Sequence, residues 1–209
     1  MKSISTKEKI NWFLLMLGYF TAGYMTINWI TSQKTFFYDL SLPFEHGIPF
    51  IPAFILGYAC VYGGMAVACA IIDNVSDWQR AIVGFFIATT VCYLFFMLVP
   101  VKMTMRPDVS AMTGFHASLT NLIFHVDLPY NCFPSLHVTY PTFATLIVWK
   151  NHKVARWAVL AMAVIVAISV IFVKQHYVAD VIAGLCVALG SFWVTVKTEG
   201  VWGRLFKKA

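Results

Sequence analysis

The sequence predicts an all-α integral membrane protein, a six-transmembrane-helix bundle with an additional interfacial helix between spans three and four. Three observations carry this expectation. Of 209 residues, 60% are hydrophobic and only 11% are charged, whereas a soluble domain carries about 25% charged residues. The apolar residues fall into runs close to the ~20 residues a helix needs to cross a bilayer core. Those runs use most of the chain, so one membrane domain over 1–209 is expected, without repeats or low-complexity tracts.

The first span is Ile10–Ile30. The basic start "MKSISTKEK" imitates a signal peptide, but the run is too long for a signal core and no small-x-small cleavage site follows, so it reads as a retained span. The second is Ile48–Ile72, opened by Pro49 and Pro52, both tolerable in a first helical turn. The third is Ala81–Val101. Val109, Met112, Leu119, Leu122 and Val126 then recur near helical spacing, which predicts a helix lying in the interface. The fourth span begins near Pro134 and runs to Trp149, the fifth is Val154–Val173, and the sixth is Tyr177–Val196. The tail "KTEGVWGRLFKKA" reads as a basic amphipathic end resting on the inner leaflet.

Six spans place both termini on one side. Of the 15 lysines and arginines, eleven then share the terminal side, among them Lys2, Arg80, Arg156, Lys207 and Lys208. Four lie opposite: Lys34, Lys102, Arg106 and Lys174. The positive-inside rule makes the terminal side cytoplasmic. The net charge of +6 is therefore topological, and no basic run with interleaved aromatics points to nucleic acid. Cys60, Cys69, Cys92 and Cys186 fall in apolar spans and Cys132 stands alone, so neither a disulfide framework nor metal-ligand spacing is present. The pairs Gly63/Gly64 and Gly184/Gly190 could permit close helix contact; the oligomeric state is open.

The exceptions to the charge rule mark the chemistry. "KMTMRP" supplies Lys102 and Arg106, "CFPSLH" supplies Ser135 and His137, and "KQHYVAD" supplies Lys174, His176 and Asp180. All three stretches stand at span ends on the non-cytoplasmic side. His176 and Asp180, four apart, would share a helix face. The carboxylate would then fix the tautomer of the imidazole and raise its basicity. Singly, each stretch has a bland reading: snorkelling cations, a helix start, or a self-satisfied structural pair. Together they offer cations, two imidazoles and a hydroxyl suited to a tetrahedral phosphate. No carboxylate cluster for a two-metal site exists, so metal-independent chemistry without a cofactor is expected.

In that order, "KMTMRP", "CFPSLH" and "KQHYVAD" resemble the three signature stretches of the type 2 phosphatidic acid phosphatase superfamily, over about 102–184. The resemblance implies that His176 attacks phosphorus to form a phosphohistidine and that Asp180 orients it. It implies that His137 protonates the leaving oxygen, and that Lys102, Arg106 and Ser135 hold the phosphate. The sequence departs from the family pattern at three points. Lys102 and Arg106 are closely spaced, Leu136 stands where glycine is usual, and Ser169-Val170 occupies the place of a Ser-Arg pair, so Lys174, the nearest cation, is expected to substitute for the arginine in holding the phosphate. The wording "PSLH" with "QHYVAD" is similar to the inositol phosphorylceramide and sphingomyelin synthase branch.

The expected function is a lipid phosphate phosphatase in a bacterial inner membrane, its site facing the periplasm or exterior. The alternative is a phosphotransferase passing the group to a lipid alcohol. A proton-coupled transporter and a catalytically dead relative are the remaining readings. Transport sites tend to lie at the bilayer midplane, whereas these ionisable residues gather at one interface.

Overall fold

The computed structural model describes residues 3–208; Lys2, one of the charges used to orient the chain, lies outside them, as do the side chains of Lys207 and Lys208. Among the described residues the fold is all-α, and strand-like pairing is limited to two isolated bridges. Five helical segments are long and apolar enough to cross a membrane: α1 (Thr6–Ser32), α2 (Ile55–Ile71, extended by a 3-10 turn from Pro52), α3 (Val75–Leu98), α6 (Ala155–Phe172) and α7 (Val178–Lys197). Between them lie α4 (Phe115–Val126) and the shorter apolar α5 (Leu136–Val148), and α8 (Glu199–Lys208) closes the chain.

Several boundaries differ from the apolar runs because polar caps, not hydropathy, start helices. The Ser5 side chain accepts from the Glu8 N–H, and Glu8 accepts from the Ser5 N–H, so α1 begins at Thr6 rather than Ile10. Asn74 accepts from the Asp77 N–H at 2.8 Å, which starts α3 six residues before Ala81. Conversely, 48–51 is not helical, and α2 proper starts only at Ile55. The segment expected to lie in the interface becomes helical only after Gly114, whose φ of 99° suits a residue without Cβ; Val109 and Met112 precede the helix. Pro134 likewise precedes α5 instead of sitting in its first turn, and Ser135 is the N-cap.

α5 is central. It packs against α2, α3, α6 and α7, and ten of its thirteen residues are buried. At ~1.5 Å rise per residue it is about 20 Å long, and its N-terminus ends inside the protein. Gly184 makes this possible, since a Cβ there would stand 2.7 Å from the Ser135 carbonyl oxygen. Gly64 similarly admits Met162 of α6, while Gly63 and Gly190 face open space. One apolar cluster joins α3, α5 and α7 around Trp78, Phe85, Tyr140 and Phe143. A second joins α2, α5 and α6 around Tyr58, Val166 and Val170.

The two ends of the bundle are tied by different contacts. At one end the Ile4 N–H donates to the Asp73 carbonyl at 3.0 Å, and Arg80 pairs with Glu199 at 2.9 Å. At the other, the Tyr38 N–H meets the Pro100 carbonyl at 2.9 Å, Met103 meets Pro129 at 2.9 Å, and Ser135 meets the Asp180 carbonyl at 3.1 Å. This second end holds all three singled-out stretches.

Candidate active site

α7 starts at Val178, so His176 and Asp180 are not one helix face: His176 lies before the helix, and Asp180 is its third residue. The pair forms instead by capping. Asp180 Oδ2 accepts the Tyr177 N–H at 2.9 Å and stands 3.3 Å from His176 Nδ1. An ionised carboxylate only accepts; with Asp180 in that form, the proton sits on Nδ1 and the Nε2 lone pair is left free. That nitrogen faces His137 Nδ1 at 3.3 Å. His137 is the second residue of α5, held there by the close approach at Gly184.

His137 has its own carboxylate. Asp127, the C-cap of α4, stands with Oδ2 3.7 Å from His137 Nε2, an ion-pair distance. Asp127 accepts from the Tyr24 hydroxyl of α1 at 2.6 Å and from the Tyr58 hydroxyl of α2. Burial pushes the Asp127 carboxyl up, but the His137 imidazole, the two phenol donors and Arg106 outweigh burial and hold it below the ordinary carboxylate range. The Tyr58 ring also lies against the His137 imidazole, with centroids 4.5 Å apart. The result is a chain Asp127, His137, His176, Asp180, drawn from three separate segments.

Arg106 reaches this chain. Its guanidinium lies 4.6 Å over the Phe124 ring and donates to the Gln175 side-chain oxygen. Arg106, Gln175, Asp127, His137 and His176 line one cavity of about 340 Å³. Ser135 is fully buried and its hydroxyl has no partner. The other two cations point elsewhere. Lys102 Nζ sits 5.3 Å over the Tyr130 ring and 5.9 Å over Phe37. Lys174, with φ 54°, turns away from His176 and donates to the Glu45 carbonyl at 3.1 Å. Burial lowers its pKa from the ordinary lysine value, against the opposing pull of Glu45. Val170, where the family pattern carries its arginine, is wholly buried in the apolar cluster between α2 and α6.

Asp127, Tyr24 and Tyr58 carry no spacing signal in the sequence, and Gln175 sits unmarked inside "KQHYVAD". The one available signal was Asp127 itself, a lone carboxylate ending an amphipathic helix on the cation-bearing side. Cys132, His176 and Asp180 also bring a sulfur, an imidazole nitrogen and a carboxylate oxygen within 4.8 Å of one another, a donor set of the kind that suits a borderline metal ion. In this structure the Cys132 thiol donates to the Pro129 carbonyl at 3.4 Å.

A bundle of apolar helices with two facing histidines, each backed by a carboxylate, and an arginine at one end defines a membrane-bound phosphoryl-handling class. A family model described as the PAP2 superfamily matches residues 50–194, and the chain belongs to that superfamily. No curated protein and no solved structure matches the chain. Membership points to phosphatase- or phosphotransferase-type chemistry.

Proposed function

We propose that the protein is a lipid phosphate phosphatase working through a phosphohistidine. The observation that carries this reading is the 3.3 Å contact between His137 Nδ1 and His176 Nε2, with a carboxylate behind each ring, at the polar end of a cavity whose other walls are mostly apolar.

A phosphate entering this site would replace the contact between the two rings. His176 Nε2 attacks phosphorus, and the bond from phosphorus to the lipid oxygen breaks. That oxygen takes a proton from His137 Nδ1, while Asp127 holds the imidazolium from the other side. Water then gives a proton to His137 and attacks phosphorus, releasing inorganic phosphate and restoring His176. Asp180 keeps the nucleophile in the correct tautomer throughout. The Arg106 fork on the cavity wall takes the equatorial oxygens, where charge stays high during transfer, with the unpaired Ser135 hydroxyl, buried behind that wall, as a further donor. Lys102 adds long-range positive charge from the rim, and Lys174 holds the 43–47 turn against the start of α7. The roles of the cavity residues rest on this chemistry and need no metal.

In this reading α5 is a sixth, shortened span, α4 lies in the interface, and the site opens to the periplasm or exterior of a bacterial inner membrane. A lipid alcohol could replace water in the second half-reaction with no change to the first. Purified protein would be assayed against phosphatidic acid, phosphatidylglycerol phosphate, undecaprenyl pyrophosphate and lipid A phosphate. Free phosphate from one of them, with an acid-labile label on His176, is the expected outcome. A new phospholipid without free phosphate indicates transfer, and absence of both would overturn the reading.

A further inference from the structure

The cavity is far larger than a phosphate site needs. Its polar residues gather at one end, and from Tyr24 its wall follows α1 down to Phe13. That is eleven residues, about 16 Å at the helical rise. Along this length the lining is almost wholly apolar. α1 is fastened to α3, where the Tyr93 hydroxyl donates to the Phe20 carbonyl at 2.6 Å and Tyr19 lies edge-on to Phe86 at 5.0 Å. On its α2 side the cavity is open: Met25 is 66% exposed and Tyr62 is 56% exposed, although both line it. The far end is closed by Met16, Cys69 and Phe85. Phe85 is stacked on Tyr140 at 5.2 Å, and these residues also border a second, smaller void.

We propose that this cavity takes one hydrocarbon tail of the substrate, entering sideways between α1 and α2, and that Cys69 and Phe85 set the longest tail accepted. The proposal rests on the phosphatase reading for the headgroup, because the tail space is continuous with the paired histidines. An extended chain advances about 1.3 Å per carbon for C–C bonds near 1.5 Å, so the cavity holds roughly a dozen carbons. A tail lying there exchanges bilayer for protein and gains no hydrophobic energy from the move. Its value is alignment, because a tail of fitting length fixes where phosphorus stands relative to His176 Nε2.

The test uses alkyl phosphates with a terminal diazirine, from about half to one and a half times that length, with the protein in lipid nanodiscs. Photolysis of the fitting probe is expected to label Met16 or Phe85. In Cys69→Phe the label should move toward Thr21, and the ratio of kcat/KM for the fitting over the half-length substrate should fall about tenfold. Phe85→Ala, which joins the cavity to the void beyond, should extend the accepted length. Met65→Phe serves as the shortening variant if Cys69→Phe does not fold. Labels scattered over the outer faces of the helices, or a length profile untouched by every variant, would overturn the proposal. Floor labelling without turnover at any length would leave the tail site standing and remove the phosphatase reading.

Discussion

Both ends of the bundle bury a carboxylate, and they use it in opposite ways. At the terminal end, Asp77 is occupied on both oxygens. Arg80 donates to Oδ1 at 3.1 Å, and the side chains of Asn74 and Asn151 donate to Oδ2. Arg80 passes on to Glu199 through two bonds of 3.0 and 2.9 Å. This network ties the start of α3 to the α5–α6 turn and to α8, and it is closed around its carboxylate. At the opposite end, Asp180 is fully buried, yet its Oδ1 has no partner, and the Ser135 hydroxyl and the Gln175 amide nitrogen are likewise unpaired. A buried polar group without a partner costs about 1–3 kcal/mol. The difference lies in the carboxylates: unpaired donors such as Arg80 Nε and Trp78 Nε1 occur at the terminal end too, but there both Asp77 oxygens are occupied, whereas Asp180 leaves one oxygen unpaired.

That contrast predicts a separation of effects. His176→Ala and Asp180→Asn should each lower kcat by about a thousandfold or more, while thermal unfolding in detergent stays close to wild type. Asn at 180 can still cap α7 through its carbonyl, so a fold-level loss in that variant would show that the pair is structural. Asp77→Ala should do the reverse. Removing the shared acceptor strands two amides and half of the Arg80 fork, costing about 3 kcal/mol. The folded fraction should keep its kcat. Loss of turnover at unchanged stability would erase the distinction between the two ends.

The same contrast explains what the sequence could and could not disclose. Hydropathy located every long apolar helix, because a membrane span needs length and apolar character in one continuous run. Signature spacing singled out His137, His176 and Asp180, which the fold brings into contact because each lies at the start of a helix or just before it. It could not orient side chains whose direction depends on a turn. Lys174 is two residues from His176, but its positive φ sends the amine to Glu45. Nor could it reveal partners assembled from distant segments. Asp127 gains meaning only when α1 and α2 bring Tyr24 and Tyr58 to it, contacts that span 103 and 69 residues. The His176–Asp180 pairing was legible by number, but its cause was a helix cap and not a shared face.

Asp127 lies between the two extremes. Its hydrogen bonds are made, as at the terminal end, yet it stands 3.7 Å from the imidazole proposed as the proton donor. Asp127→Asn should therefore lower kcat about ten- to a hundredfold, with KM for a lipid phosphate little changed. Because the Asp127 carboxyl lies below the ordinary carboxylate range, its ionised form, and with it the support to His137, is present at neutral pH. That support disappears only as pH falls through the depressed value. The variant's deficit relative to wild type should thus be constant from neutral down to mildly acidic pH. A deficit that vanishes near neutral pH would show that Asp127 does not act as an anion.

The smallest effect belongs to the most exposed ion pair at the terminal end. Lys9 Nζ lies 2.8 Å from Asp73 Oδ1, with Asp73 79% exposed, and also donates to the Ala70 carbonyl at 2.9 Å. The hydrogen bond and charge of Lys9 lower the Asp73 pKa. A carboxyl whose folded pKa is depressed contributes stability above its unfolded pKa and loses it as pH falls through the folded value. Asp73→Asn should therefore reduce stability at neutral pH by less than about 1 kcal/mol, and by nothing once wild-type Asp73 is itself protonated. Added salt should shrink even the neutral-pH difference. A loss comparable to that of Asp77→Ala would mean that exposure does not separate structural from incidental charges at this end of the bundle.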